Sequence, residues 1–231
     1  RRHAATVGQG AALGAAGLHR AEKAVVYEDA MANGYGQSCR GWFLLKYLGH
    51  PRAAVLHGGL RAWQARKLPL TTAVPLYERT RYAPQVDSSL MVTAEAMLAA
   101  IGDPAIAILD VRDYAEWLGA NSSPSGYDFC PRKGRIPGAR WLEWYKLMTR
   151  RGGVPWFRPP EEIQALAAAV GLQPDDQIYV YCFKGARTSN VMLALKRAGF
   201  HNVRNYFSSW NEWSRDLALP IEEGYPEEAP A

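Results

Sequence analysis

The stretch YVYCFKGARTSNVMLALKRAGF, Tyr179–Phe200, decides the fold of this 231-residue chain. It opens with an apolar run that ends at Cys182, and after a short segment it continues with helix-spaced apolar residues such as Val191 and Leu195. An apolar run, a loop and an amphipathic helix in this order predict a buried parallel strand and its crossover helix. Ligands gather beyond the carboxyl ends of such strands, so Cys182 lies where a binding site is expected.

The loop after Cys182 has the composition of an anion site. Gly185 allows a tight turn or a positive φ, and Lys184 and Arg187 add two positive charges. Three polar side chains are expected to cap the helix that follows: Thr188, Ser189 and Asn190. Loop amides and the positive end of that helix then favour a thiolate. The alternative is an ordinary buried cysteine at a strand end, as most lone cysteines are.

The pattern around this loop occurs twice along the chain. Residues 44–70 and 194–221 share a glycine and a tryptophan at the same offset, and both end in a Leu-Pro step. In each copy short apolar strands alternate with helical segments. This predicts an α/β fold of tandem modules, each with a central parallel sheet and helices on both faces.

Only the second copy is preceded by a further segment with strand and helix patterns, which we call its front half. This segment contains the apolar run AIAILDVR at residues 105–112. A sheet without its central strand exposes an apolar edge. The opening strands of the first module are therefore expected to lie outside this sequence or to come from another chain. The sequence therefore predicts four parts: an incomplete first module (1–72), a proline-bearing linker (73–92), a complete second module (93–221) and a loose acidic tail (222–231).

Composition narrows the classes of function. The chain is 48% apolar and 21% charged, as globular proteins are, and no apolar run is long enough to cross a membrane. A scattered net charge of +5 suits small anionic substrates and does not favour nucleic acid. The three cysteines (Cys39, Cys130 and Cys182) have no metal-ligand spacing, so no metal or cofactor is predicted. Free thiols suggest a reducing compartment, the cytoplasm, with the periplasm left open.

Four segments in order resemble the rhodanese family of sulfurtransferases: LDVRDYAEW, GRIPGARWLEW, YVYCFKGART and NVRNYFSSWNEW. The resemblance covers residues 93–221, and residues 11–70 as the back half of an upstream module. It implies that a Cys182 thiolate attacks the outer sulfur of thiosulfate, sulfite leaves, and Cys182 carries a persulfide. Loop amides hold the anionic sulfur as an oxyanion hole does. The acceptor is cyanide, a thiol or a protein.

The resemblance also implies which residues form the site. The donor is expected to contact the loop and one distant arginine: Phe183, Lys184, Gly185, Ala186, Arg187 and Arg112. Supporting positions are expected at Asp110, Thr188 and Trp210. The alternative for Arg112 is an ion pair with Asp110 that braces neighbouring loops. Cys130, in a polar segment, is either a resolving or acceptor thiol or a bystander. Glu28 stands where Cys182 stands in the second copy, so the first module is expected to be inactive.

Three alternatives stay open on function. The basic loop favours thiosulfate as the donor. The resemblance implies that mercaptopyruvate users of this family have a small, neutral loop and a second arginine shortly after the position of Arg112, and the segment DYAEW has no such arginine. A non-turnover module that relays a persulfide to a protein partner is a second alternative. Four residues separate Cys182 from Arg187, whereas cysteine phosphatases of the cell-cycle type, which resemble this family in fold, have five. The shorter loop suits a persulfide better than a tetrahedral phosphate or arsenate. That makes a phosphatase or reductase the least favoured of the three.

Overall fold

The computed structural model describes residues 2–29, 34–126 and 128–225. The chain divides into two compact units: Arg1–Ser88 with Arg150–Trp156, and Ser89–Thr149 with Phe157–Ala231. Residues 68–87, which include most of the linker predicted at 73–92, form no helix or strand. Within the described ranges, no helix is long and apolar enough to cross a lipid bilayer.

The first unit contains two short parallel strands and three helices. In chain order these are α1 (Arg2–Ala15), β1 (Ala24–Val26), α2 (Gly36–Tyr47), β2 (Ala53–Val55) and α3 (Gly59–Ala65). The strands β1 and β2 pair in parallel, from Ala24 opposite Ala53 to Val26 opposite Val55. Helix α2 buries apolar side chains such as Phe43 and Leu45, as its pattern requires.

The second unit carries a four-stranded parallel sheet. Its elements are α4 (Ala94–Ala99), β3 (Ile106–Asp110), α5 (Tyr114–Trp117), β4 (Arg140–Trp141), α6 (Pro160–Ala169), β7 (Gln177–Tyr181), α7 (Ala186–Arg197), β8 (Val203–Asn205) and α8 (Ser209–Trp213). Strands β5 (Met148–Arg151) and β6 (Val154–Phe157) come between β4 and α6 in the sequence, and residues 150–156 belong to the first unit. The strand order is β4-β3-β7-β8, and every pair is parallel. The strands β5 and β6 form a separate two-stranded sheet that the apolar pattern did not predict.

The register of the central strands sets the position of the site. Strands β3 and β7 are buried along almost their whole length, because continuous apolar runs suit a sheet covered on both faces. Asp110, the last residue of β3, lies opposite Tyr181, the last residue of β7. Cys182 follows directly, so it emerges at the carboxyl edge of the sheet, as the sequence predicts.

The two copies of the repeat correspond in their backbone hydrogen bonds. In the first copy Ala24 N donates to Arg52 O, and in the second Ile178 N donates to Asn202 O, both at 2.9 Å. In the same way, Leu56 N to Val26 O corresponds to Tyr206 N to Val180 O, again both at 2.9 Å. The third pair is Leu60 N to Glu28 O at 2.9 Å and Trp210 N to Cys182 O at 3.0 Å. Glu28 therefore occupies the backbone position that Cys182 occupies in the second unit. The same alignment pairs Tyr27 with Tyr181 and α2 with α7.

The start of the acidic tail is held in place, contrary to the prediction of a loose segment. Arg135 and Glu222 form an antiparallel bridge through their backbones, with N–O distances of 2.8 and 2.9 Å. The Arg135 guanidinium also donates to the Glu222 carboxylate at 3.2 Å and to the Gly224 carbonyl at 2.6 Å. A buried guanidinium needs such acceptors, and the sequence pattern gave no sign that the tail supplies them. Residues 226–231 lie outside the described part of the chain.

Candidate active site

The Cys182 thiol lies in a small polar niche at the carboxyl end of β7. Its side chain is only 1% exposed. The backbone amide of Gly185 donates to Sγ at 3.2 Å, and the hydroxyl oxygens of Thr188 and Ser209 lie 3.9 and 3.8 Å from it. Three polar groups therefore face the sulfur, and at least one is a loop amide, as the anion-site hypothesis requires.

Gly185 gives the loop its shape. Its φ of +83° lies in the left-handed region, and α7 begins directly after it at Ala186. A Cβ at this position would also lie 2.6 Å from the ring of Phe207, so a larger residue is excluded on two grounds. This turn directs the amide of Gly185 at Sγ and places the N-terminus of a twelve-residue helix beside it.

The predicted caps of α7 were wrong, because the helix starts earlier than the side chains suggest. Thr188, Ser189 and Asn190 are buried inside the first turns of α7, and the N-cap is Gly185, which has no side chain to accept hydrogen bonds from the first amides of the helix. Ser189 Oγ instead donates to the Gly185 carbonyl at 2.5 Å, and Thr188 Oγ1 faces Sγ. These hydroxyls thus fix the loop and line the niche.

Arg187 is engaged by an acidic side chain of α5. Its two terminal nitrogens contact the two carboxylate oxygens of Glu116 at 2.5 and 2.9 Å, and Asp113 Oδ1 lies 3.3 Å from Nη1. Burial alone lowers the pKa of Arg187, but the hydrogen bonds and charge of Glu116 outweigh it, so the pKa lies above its ordinary value. The pair is nearly buried, so Arg187 ties the cysteine loop to α5 and has little charge left for a donor.

Lys184 is the exposed cation of the loop. Its ammonium lies 4.9 Å from the ring centroids of both Phe129 and Phe183. The two rings meet edge to face, with centroids 5.5 Å apart. Phe183, Gly185 and Arg187 are buried and Ala186 is half-buried, so Lys184 is the exposed side chain of the loop.

The structure places Arg112 in the interior. Its guanidinium donates to both oxygens of Asp110, at 2.6 Å for the shortest bond, and to the Gly134 carbonyl at 2.7 Å. It also lies 4.5 Å from the ring centroid of Trp210. Burial alone lowers the pKa of Arg112, but the Asp110 charge more than offsets this, so the guanidinium stays protonated. Asp110 and Arg112 form a buried pair, which favours the bracing role over donor binding.

The other cysteines and Trp210 belong to the interior. Trp210 is fully buried, and its indole N–H donates to the Arg132 carbonyl at 3.1 Å. Cys130 was expected in a polar segment, yet its side chain is buried in the apolar cluster that also contains Phe183 and Trp210. Cys39 is buried in α2, and none of Cys39, Cys130 and Cys182 forms a disulfide in the part of the chain that the structure describes.

Sequence reasoning missed Ser209, whose hydroxyl fixes the backbone of Cys182. Ser209 Oγ accepts from the Cys182 amide at 3.0 Å and donates to the Tyr206 carbonyl at 2.7 Å. Its φ of +56° is in the left-handed region, where the matching residue of the first copy is Gly59, with a φ of +58°. A non-glycine residue there costs on the order of 1 kcal/mol, and such strain concentrates at functional sites. The sequence carries one signal for this position, because the alignment of the two copies places Ser209 opposite Gly59.

We expect Ser209→Gly to lower about tenfold the kcat of the sulfur transfer that the sequence resemblance implies, while leaving the thermal stability close to that of the unmodified protein. The lost hydroxyl frees the Cys182 amide and removes a group facing Sγ, and a tenfold loss corresponds to about 1.4 kcal/mol. Relief of the positive φ offsets part of the lost bonding. Steady-state kinetics check this. Ser208→Gly, at the exposed neighbouring serine, is the matched control. An unchanged kcat in Ser209→Gly would show that this hydroxyl does not position Cys182.

Comparison with known proteins bears on this arrangement. Residues 93–216 match the Rhodanese-like domain family. The chain is 33% identical over 215 residues to the sulfur carrier protein TtuD of Thermus thermophilus, which covers 90% of this chain and 73% of TtuD. It is 33% identical over 214 residues to a probable 3-mercaptopyruvate sulfurtransferase of Pseudomonas aeruginosa, covering 92% and 72%. It is 32% identical over 214 residues to a thiosulfate sulfurtransferase of Corynebacterium glutamicum, covering 90% and 68%.

The fold is also similar to that of solved structures. A single-residue variant of EanB in complex with hercynine superposes with a TM-score of 0.83 at 26% identity, over 93% of this chain and 54% of that chain. An EanB variant with a cysteine persulfide and ergothioneine superposes with a TM-score of 0.81 at 25% identity, with the same coverage. The chain thus spans about half the length of EanB. With a buried cysteine at the end of β7, a loop amide on its sulfur and these relatives, the chain belongs to the rhodanese family of sulfur-transferring proteins.

Proposed function

We propose that the protein moves a sulfane sulfur from thiosulfate through a persulfide on Cys182 to a thiol or to cyanide. One observation carries the proposal: the Gly185 amide donates to Cys182 Sγ at the N-terminus of α7, in a niche closed to bulk water. This geometry stabilises negative charge on the nucleophile and on the terminal sulfur that it later holds. Relatives named thiosulfate sulfurtransferase support the donor.

The chemistry needs two displacements at sulfur. In the first, the Cys182 thiolate forms a bond to the outer sulfur of thiosulfate, and the S–S bond of the donor breaks with its electron pair leaving on sulfite. In the second, the acceptor attacks the terminal sulfur and the Cys182 thiolate leaves. Each displacement starts and ends with one negative charge on sulfur near the Gly185 amide, so the same dipoles serve both. Two half-reactions of this kind give ping-pong kinetics.

The charge of the loop supports a dianionic donor. Arg187 is neutralised by Glu116 and Arg112 by Asp110, whereas Lys184 is an exposed cation two residues after Cys182. Among the described residues no carboxylate pairs with Lys184. An exposed ammonium attracts a dianion in the ground state and in the transition state alike, so it acts mainly on KM.

We therefore expect Lys184→Gln to raise KM for thiosulfate about three- to tenfold, with kcat within about twofold of the original. The change removes one exposed charge and no packing in the interior. Lys23→Gln, which removes an exposed lysine of the first unit, is the control for net charge. The effect should shrink as the salt concentration rises, because salt screens exposed charges. A KM that stays unchanged at low salt would mean that Lys184 does not meet the donor.

A second candidate is transfer from 3-mercaptopyruvate, which the name of the Pseudomonas relative supports. A third is a sulfur relay to a protein, supported by the Thermus relative named sulfur carrier protein. Side-by-side turnover assays with thiosulfate and 3-mercaptopyruvate, each with cyanide as acceptor, separate the donors. We expect the larger kcat/KM with thiosulfate. A larger value with 3-mercaptopyruvate would replace the first candidate with the second, and persulfide formation without turnover would favour the relay.

A further inference from the structure

Phe129 brings an aromatic ring from a distant segment to the exposed cation of the cysteine loop. The Lys184 ammonium lies 4.9 Å from the ring centroid of Phe129 and 4.9 Å from that of Phe183. The two rings meet edge to face, with their centroids 5.5 Å apart. Phe183 is buried, whereas Phe129 is 45% exposed. A cation this close to two aromatic faces is attracted by both, so the ammonium has a preferred place beside the loop.

The segment that carries this ring is fixed by hydrogen bonds. The Cys130 amide donates to Ser122 Oγ at 3.0 Å, and the Cys130 side chain is buried. The Arg132 guanidinium donates to backbone carbonyls that follow α8, at 3.0 Å to Ser214 and at 2.7 Å to Leu219. Because its neighbours are held in this way, the ring has a fixed backbone beneath it and gives the cation a fixed contact.

The contact orders the ammonium without using its hydrogen bonds. An aromatic face attracts the charge, whereas a carboxylate would also accept the N–H groups. In the part of the chain that the structure describes, no carboxylate forms an ion pair with Lys184, while the other cation of the loop, Arg187, is held by Glu116. A long side chain that an anion must order loses rotamer freedom, and this loss weakens binding. Two rings that order Lys184 beforehand reduce that loss.

We propose that Phe129 is a positioning residue for the sulfur donor, because its ring holds the Lys184 ammonium ready for a thiosulfate dianion. This role rests on the proposed function, since it needs an anionic donor that Lys184 attracts. Phe129 acts through Lys184 and has no part in the displacements at sulfur. Its removal should therefore change KM and leave kcat almost unchanged.

The kinetic test is a double-mutant cycle of Phe129→Leu and Lys184→Gln, measured by turnover of thiosulfate with cyanide. Leucine keeps an apolar side chain and removes the ring. We expect Phe129→Leu alone to raise KM about two- to fivefold, with kcat within about twofold, as the strength of exposed cation–π contacts implies. In the Lys184→Gln background the same change should leave KM within about 1.5-fold, because no ammonium is left to hold. Phe129→Tyr keeps the ring and should keep KM within about 1.5-fold of the original.

NMR spectroscopy of lysine-labelled protein follows the ammonium without any turnover. Protons above an aromatic face resonate upfield, so we expect an upfield signal from the ε-methylene protons of Lys184, which Lys184→Gln identifies. Phe129→Leu should move this signal towards that of the exposed Lys23. Lys146 is the internal control, because its ammonium lies 4.5 Å from the ring centroid of Trp141 and its signal should not move.

The outcomes separate this role from the proposed function. If Lys184→Gln raises KM and Phe129→Leu does not, the positioning role is overturned and the proposed function stands. An equal effect of Phe129→Leu with and without Lys184 also overturns it, because the ring would then act without the ammonium. So does a Lys184 signal that Phe129→Leu leaves in place. An unmodified protein that does not turn over thiosulfate would overturn the proposed function, and with it the donor role of Phe129, even where the NMR signal responds as expected.

Discussion

Replacing Cys182 by serine is expected to lower kcat/KM for thiosulfate by a factor on the order of 10⁴ or more. Serine keeps the volume and the hydrogen bonds of the niche, but an alkoxide cannot form at neutral pH and an O–S adduct is a poor carrier of sulfur. Loss of a covalent nucleophile is among the largest effects of a single substitution in enzymes. Steady-state turnover with thiosulfate and cyanide measures it.

Cys39→Ser and Cys130→Ser are the controls for this result. Both thiols are buried and outside any described disulfide, so each control also tests whether the loss of a buried thiol is itself damaging. We expect each to keep kcat within about tenfold of the original, with circular dichroism confirming the fold. Activity that survives in Cys182→Ser and disappears in Cys130→Ser would move the nucleophile to Cys130.

Replacing Arg187 by glutamine is expected to reduce the free energy of unfolding by about 3–5 kcal/mol. The variant leaves the Glu116 carboxylate buried without its bidentate partner, whose nitrogens lie 2.5 and 2.9 Å from the two oxygens. Such a loss is a large share of the roughly 5–15 kcal/mol that stabilises a typical folded protein. Chemical denaturation monitored by tryptophan fluorescence measures it.

Two further variants identify the cause. Lys184→Gln removes the same charge from an exposed position of the same loop and should change stability by less than about 0.5 kcal/mol. The double variant Arg187→Gln with Glu116→Gln should be more stable than Arg187→Gln alone, because no buried charge is left unpaired. If Arg187→Gln instead raised KM for thiosulfate with no loss of stability, the Arg187 side chain would face the donor, as the family resemblance of the sequence implies.

The strands of the repeat and the position of Cys182 could be predicted because each depends on local pattern. Apolar runs such as residues 106–110 and 177–181 are long enough to read as buried strands, and the structure has strands there. Parallel strands expose their carboxyl ends on one edge, so the residue after such a run is placed by topology alone. Gly185 was singled out for the same reason, since a left-handed turn is a local requirement.

The partners of the charged side chains could not be predicted, because they depend on contacts between distant segments. Arg187 and Glu116 are 71 residues apart, and nothing in the loop distinguishes a cation that faces an anionic donor from one held by a carboxylate. Ser209 acts through a backbone amide 27 residues away. The sheet of β5 and β6 was missed because only its Gly-Gly turn, residues 152–153, signals it.

The central claim is that Cys182 holds transferable sulfur, and mass spectrometry of the intact protein after incubation with thiosulfate tests it most directly. We predict that the reduced protein gains the mass of one sulfur atom, that peptide mapping places it on Cys182, and that cyanide removes it. Cys182→Ser should gain nothing under the same conditions. A folded, reduced protein that takes up no sulfur, or takes it up on Cys39 or Cys130, would contradict the account.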